Sequence, residues 1–272
     1  MEKAIDLLLI DPQNDFCSEG GVFYEGCYDA HKKRLDKDVE SMVIFLKNNF
    51  PKIKSITVSL DTHHSFDISH PSYWVNCQRE SPEPFDVITV EDIKNGKWKP
   101  WREEYSDDVE TYLMGLRNQG KYDHRIWPPH CLAGSWGHAI NEKILYGLSQ
   151  WEDFFGEEIN YIYKGLNPHT EHFSAFEAEI PSKFDSSTEF FIPQNLEYSE
   201  NIVVMGEALS HCVASSVRSL VKVVSPEVIT LVTDATSNVQ GCDSLGDAFI
   251  RELTSKGMKT MMVSEFGICY LP

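Results

Sequence analysis

The chain has 272 residues, 42% of them hydrophobic, which is enough for one sizeable core. It carries 42 Asp and Glu against 24 Lys and Arg, a net charge of −18. That balance excludes nucleic acid and anionic membrane surfaces as main partners, because both require a basic footprint.

No apolar run approaches the roughly 20 residues needed to span a bilayer. The chain also opens directly on a strand, without a basic segment and apolar leader. A cytoplasmic enzyme is the expectation, with one domain over residues 1–272. The seven cysteines are Cys17, Cys27, Cys77, Cys131, Cys212, Cys242 and Cys269, and none forms a CxxC pair. Such a set fits reduced thiols better than a zinc ribbon or a disulfide framework.

The first element is a buried strand over residues 4–10, running into Asp11 in "KAIDLLLIDPQNDF". Residues 29–50 follow as a helix with Val39, Met42, Val43, Phe45 and Leu46 on one face. A second strand, 55–60, ends at Asp61 and His63 in "SLDTHHSF". Spacing of two puts both side chains on one face if the strand continues. Carboxylate beside imidazole is a donor pair suited to zinc or iron, with His64, His70 and His130 as possible third ligands.

Residues 77–125 break the alternation. They are rich in Pro, Glu, Asp, Lys and Trp, show no clear strand, and carry one helix near 107–118. They read as an inserted excursion, either decoration or an oligomer contact rather than a lid. In "RIWPPHCLAGSWGHAI", Pro128 and Pro129 stiffen the approach to His130 and the glycines allow a turn into a helix near Ala139. Trp127 could wall a flat substrate.

A third strand, 161–163, delivers Lys164. A fourth, 202–205, turns through "GEALSH" into a helix opening near Cys212. A fifth strand at 228–232, a helix capped by Asp243 and Gly257, and a sixth strand at 260–263 complete the chain. Alternating strands and helices imply a mostly parallel sheet covered on both faces, a three-layer α/β/α fold. Ligands in such folds bind beyond the carboxyl ends of the strands. That rule gathers Asp11, Asp61, Lys164 and the turn before Cys212 on one edge.

A thiol at a helix N-terminus is biased toward thiolate by the dipole and free N–H groups, and those N–H groups could hold an oxyanion. Asp11 is then the candidate base. An Asp is normally too acidic to deprotonate a thiol, so one of the two pKa values must move. Lys164 could stabilise the thiolate and orient Asp11.

Five segments in order carry a resemblance: "LLLIDPQNDFCSEGG", "SLDTHHSF", "WPPHCLAGSWG", "YKGLNPHTEHFSAFE" and "VVMGEALSHCVASSV". The chain resembles the isochorismatase-like cysteine hydrolases, and most of all the nicotinamidase/pyrazinamidase group. The resemblance implies Asp11, Lys164 and Cys212 as catalytic triad, with Ala208 and Cys212 N–H groups as oxyanion hole. It implies Phe16, Gln13 and Trp127 as substrate-binding residues, and Asp61, His63, His130 and His70 as ligands of one divalent metal. Zinc is the expected ion, with iron or manganese as alternatives. It also places a cis peptide at Glu207–Ala208.

The implied reaction is hydrolysis of nicotinamide to nicotinate and ammonia through a thioester, a step of pyridine-nucleotide salvage. The implied partner is a small-molecule amide, with self-association possible. Leu209 and Ser210 replace the Thr and Asp of the usual "GxATDxCV" pattern. Two alternatives stand beside this reading: a cysteine hydrolase of another small amide or carbamoyl compound, and a non-catalytic relative serving as a binding subunit.

Overall fold

The structure is a computed structural model that describes residues 4–182 and 185–267. Cys269 lies outside them, and the six described cysteines are free thiols. The central sheet has six strands: β1 (Ile5–Ile10), β2 (Ile53–Asp61), β3 (Asn160–Lys164), β4 (Ile202–Gly206), β5 (Ile229–Val232) and β6 (Lys259–Met261). Their order is β6-β5-β4-β1-β2-β3, and every pairing is parallel. All six residues of β1 are buried, as a central strand covered on both faces demands.

Side chains alternate between two cores. Leu7 and Leu9 pack on one side with Met42 and Phe45 of α1 (Asp29–Asn49) and Leu148 and Trp151 of α2 (Glu142–Phe155). Leu8 and Ile10 pack on the other with Val217 of α3 (Ala214–Leu220) and Phe249 and Leu253 of α4 (Asp243–Thr254). The result is the expected three-layer α/β/α arrangement.

Several boundaries differ from the sequence reading. Helix α2 begins at Glu142 rather than near Ala139, because Asn141 caps it by accepting from Lys143 N–H at 3.0 Å. Asp243 is the first helical residue of α4, with Cys242 at the cap, so its charge sits in the first turn. Helix α4 is capped at Ser255, two residues before Gly257, which takes the left-handed φ of 105°.

Strands of two residues each do occur in the excursion and just before it. Trp74–Val75 pairs antiparallel with Lys99–Pro100, and Val87–Ile88 with His124–Arg125. They close a separate core of Tyr73, Trp74, Ile88, Trp98 and Ile126 against the helix Ser106–Asn118. Runs this short have no readable alternation, which is why they escaped detection. Among the described residues, no helix is long and apolar enough to cross a membrane.

The chain order reverses about β1, whose neighbours are β2 and β4. The crevice at the carboxyl ends of these strands is therefore the natural ligand site. Gly206 ends β4 with a φ of 122°, and an added Cβ would stand 2.0 Å from the Ile10 carbonyl oxygen. Only glycine lets β4 turn this close to β1.

Candidate active site

Strand geometry brings the predicted triad together. Asp11 leaves β1 fully buried, and its N–H donates to both the carbonyl and the hydroxyl of Ser59 at 3.1 Å. The Ser59 hydroxyl in turn donates to Asp11 Oδ1 at 2.5 Å. Lys164 ends β3 two strands away, paired in register with Asp61. Its Nζ lies 3.0 Å from Asp11 Oδ2, 2.7 Å from Asp61 Oδ1, 2.9 Å from the His172 carbonyl and 3.7 Å from Cys212 Sγ.

Burial would strip the charge from this lysine, but Asp11 and Asp61 outweigh it and hold the ammonium. Burial also pushes the Asp11 carboxyl up against the opposing pull of Lys164. It pushes the Cys212 thiol up as well, again against Lys164. Burial at Cys212 therefore works toward the thiol, with Asp11 acting in the same direction. Burial thus opposes the helix dipole, which favours the thiolate. Cys212 sits inside a π turn, Leu209–Val213, ahead of a seven-residue helix, and desolvation dominates there. Burial raises Asp11 and Cys212 together, and Lys164 favours the charged form of each. The Glu207–Ala208 peptide that opens this turn is cis.

The four proposed metal ligands also converge. One ring nitrogen from each of His63, His70 and His130 falls within 4.8 Å of the others, and all three rings are buried. Asp61 Oδ2 lies 3.2 Å from His63 Nε2 and 3.3 Å from His130 Nε2. Each ring's Nδ1 faces an acceptor outside the cluster: Asp67 Oδ2 at 3.0 Å for His63, the His64 carbonyl at 3.2 Å for His70, and the Pro128 carbonyl at 2.8 Å for His130. Carbonyls can only accept, so Nδ1 of His70 and His130 carries the proton and Nε2 keeps its lone pair. Burial, with His130 and His63 nearby, lowers His70 to about 3 and keeps it neutral. Three imidazoles and a carboxylate, with the rings oriented from outside, fit a divalent cation of the zinc, iron or manganese kind.

His64, offered above as a possible third ligand, contributes its carbonyl to this orientation instead.

Asp67 was not singled out from sequence, although it stands four residues after His63. Ser69 fixes it, donating its N–H at 3.0 Å and its hydroxyl at 2.8 Å to Oδ1. The excursion and the strand just before it hold the same loop. Trp74 Nε1 and His124 Nε2 both donate to the Ile68 carbonyl, at 2.7 and 2.8 Å.

The pocket over Cys212 is walled by Phe16, Phe23, Trp127, Phe173 and His211. Phe16 and Phe23 stack with centroids 5.3 Å apart, and Trp127 meets Phe173 edge-on at 6.3 Å. Gln13 does not line this pocket. Its side chain accepts from Asp61 N–H at 2.7 Å and donates to the carbonyls of Asp61 and His138 at 2.8 and 2.9 Å. It therefore braces the end of β2. Phe23, Phe173 and Glu171 are wall residues that sequence reasoning missed, since a four-residue helix, Val22–Glu25, and an irregular segment supply them without readable periodicity. Glu171 is buried with Oε2 unpartnered, and burial raises its carboxyl to about 7.

No protein-family model and no curated protein matches the chain by sequence. Solved structures do match by shape. The yeast nicotinamidase Pnc1p superposes with a TM-score of 0.64 at 18% identity, covering 94% of this chain and 99% of that one. An Acinetobacter baumanii nicotinamidase/pyrazinamidase gives 0.60 at 16% identity, over 97% and 98%. The pyrazinamidase of Pyrococcus horikoshii, determined in complex with zinc, gives 0.51 at 16% identity, over 95% and 98%. The six-stranded parallel sheet with helices on both faces, shared with these nicotinamidase and pyrazinamidase structures, is the isochorismatase-like fold.

Proposed function

We propose that the chain is a cysteine-dependent amidohydrolase acting on nicotinamide or a closely similar carboxamide. The observation that carries this reading is the buried Lys164 ammonium, placed 3.0 Å from Asp11 and 3.7 Å from the Cys212 sulfur. A desolvated lysine so placed costs the fold unless its partners serve a purpose there.

In the proposed reaction, Asp11 takes the proton of Cys212 and the sulfur attacks the amide carbon. Lys164 offsets the negative charge as it passes from Asp11 to the sulfur. N–H groups of the turn at Ala208 and Cys212 receive the oxyanion, each donor lowering the barrier by about 2.7–4 kcal/mol. Collapse of the adduct breaks the C–N bond, and the proton held by Asp11 leaves with ammonia. Asp11 then draws a proton from water as it attacks the thioester, releasing the carboxylic acid and restoring the thiol.

Phe16, Phe23 and Trp127 are suited to clamp a flat ring against this centre. A divalent cation, held by Asp61, His63, His70 and His130, would supply a Lewis-acidic anchor for a ring nitrogen or an ordered water. Structures similar to this one were solved with the inhibitor nicotinaldehyde, with nicotinate and with zinc.

The test is ammonia release from nicotinamide by wild type and by Cys212→Ala, with metal content measured on the same wild-type sample. Turnover lost in the variant, with about one metal per chain, supports the proposal. Turnover that survives in Cys212→Ala refutes the cysteine mechanism.

A further inference from the structure

Ser237 lies between the nucleophile turn and helix α1, and each of its polar groups is engaged. Its carbonyl accepts from Leu209 N–H at 2.7 Å, and its N–H donates to Glu207 Oε2 at 3.2 Å. Its hydroxyl donates to Oδ2 of Asp38 on α1. Ala208, whose N–H is to receive the oxyanion, falls between the two turn residues held this way. Glu207 N–H is fixed in addition on the Ile10 carbonyl at 2.8 Å. Both neighbours of Ala208 are therefore anchored, and one of them through its side chain.

These groups are out of water: Glu207 is 1% exposed, Asp38 4% and Ser237 8%. The two carboxyls also hydrogen-bond each other, which requires a proton on one of them. Burial drives both toward that protonated form. Two buried carboxyls cost stability that apolar side chains of the same size would not. What they add is direction: hydrogen bonds fix the turn from α1 and from Ser237, where apolar contacts would let it slide.

We propose that Glu207 and Asp38 are positioning residues for the amide cleavage: hydrogen-bonded to each other and anchored on Ser237, they hold residues 207–209 so that the Ala208 N–H stays where the oxyanion forms. Neither touches the reacting atoms. This inference rests on the amidohydrolase reading and adds to it the support of its oxyanion hole. A misplacement of about 1 Å costs on the order of 10²-fold in rate. An oxyanion donor acts on the transition state rather than on the bound amide, so the loss belongs in kcat and not in KM.

The experiment uses four variants. Glu207→Met keeps the bulk and loses the acceptor. Glu207→Gln still accepts from Ser237 N–H and donates to Asp38. Asp38→Leu removes the other carboxyl, and the double variant Glu207→Met/Asp38→Leu removes both. Ammonia release from nicotinamide gives kcat and KM, thermal melts verify folding, and hydrogen exchange is followed in a peptide covering residues 206–213. Expected in Glu207→Met is a kcat about 10–100-fold lower with KM within about threefold, while Glu207→Gln returns to within about threefold of wild type. Asp38→Leu should lose kcat as well, and the double variant should fall no further than the slower single variant, because both act through one support. Exchange over 206–213 should rise in Glu207→Met and return to the wild-type level in Glu207→Gln. Should Glu207→Met not fold, Asp38→Leu and Glu207→Gln decide by the same loss and the same retention.

An unchanged kcat in the folded Met or Leu variant, a loss carried by KM alone, a Glu207→Gln as slow as Glu207→Met, or additive losses in the double variant overturns the positioning role while the amidase reading stands. No ammonia from wild type, with exchange changing as expected, overturns the nicotinamide reading instead, while the hold of the pair on the turn stands. Absence of both overturns both.

Discussion

Replacing Lys164 with Met removes the cation that two buried carboxylates share. Asp11 is fully buried and Asp61 is 4% exposed, and the lysine stands 3.0 and 2.7 Å from them. Breaking a buried ion pair by deleting one partner costs about 3–5 kcal/mol, because the surviving charge is left in a poor solvent. For a chain of this length the unfolding entropy is roughly 0.6 kcal/mol per kelvin, so Tm should fall by about 5–9 °C.

The penalty should also depend on pH. Burial raises the Asp61 pKa, but His63 and Lys164 outweigh it and depress it well below 3.8. Its stabilisation is therefore present above about pH 4 and lost as pH falls further. Without Lys164, both carboxyls gain by being protonated, so acidification relieves the variant while it costs the wild type. The gap between them should be widest near pH 7 and shrink toward pH 4. Thermal denaturation of both proteins across that range, with EDTA present so that no cation stands in for the lysine, measures it. A loss below about 1 kcal/mol, the scale of an exposed salt bridge, or a gap independent of pH would refute the reasoning.

Other substitutions probe the remaining supports. Asp67→Asn weakens the partner that orients His63, and zinc affinity by competitive chelator titration should drop about 10–100-fold; an unchanged affinity would mean His63 needs no such partner. Asp38→Asn tests a carboxyl that burial raises to about 7. Since a raised pKa means stability lost as pH climbs through the folded value, the variant should equal wild type near pH 4 and exceed it above pH 7, by a few kcal/mol at most; urea melts at both pH values decide. Gly137→Ala should destabilise by more than about 2 kcal/mol, because the new Cβ would stand 2.1 Å from Asp15 Oδ2, which accepts from Cys131 N–H next to His130. A soluble variant of wild-type Tm would show that this loop yields at no cost.

The fold was legible because its strands are buried on both faces. "IDLLLI" and "IVVMG" are nearly unbroken apolar runs, and the residues that end them fall on one sheet edge by topology alone. Asp11, Asp61, Lys164 and Cys212 were therefore readable as a group. Side-chain direction was less readable. Gln13 sits beside the site in sequence yet turns to the backbone of β2, which no spacing rule foretells. Nor could the sequence weigh burial against the helix dipole at Cys212, since desolvation depends on Phe23, Phe173 and other walls from distant loops. The short strands in and just before the excursion, at two residues each, lie below the length at which alternation exists.

The most direct test of the central claim is mass spectrometry of the wild-type protein quenched during turnover of an amide substrate. The account predicts an acyl adduct on the peptide containing Cys212, formed as ammonia is released and absent from Cys212→Ala. Ammonia released at the wild-type rate by Cys212→Ala, with no adduct in either protein, would contradict it.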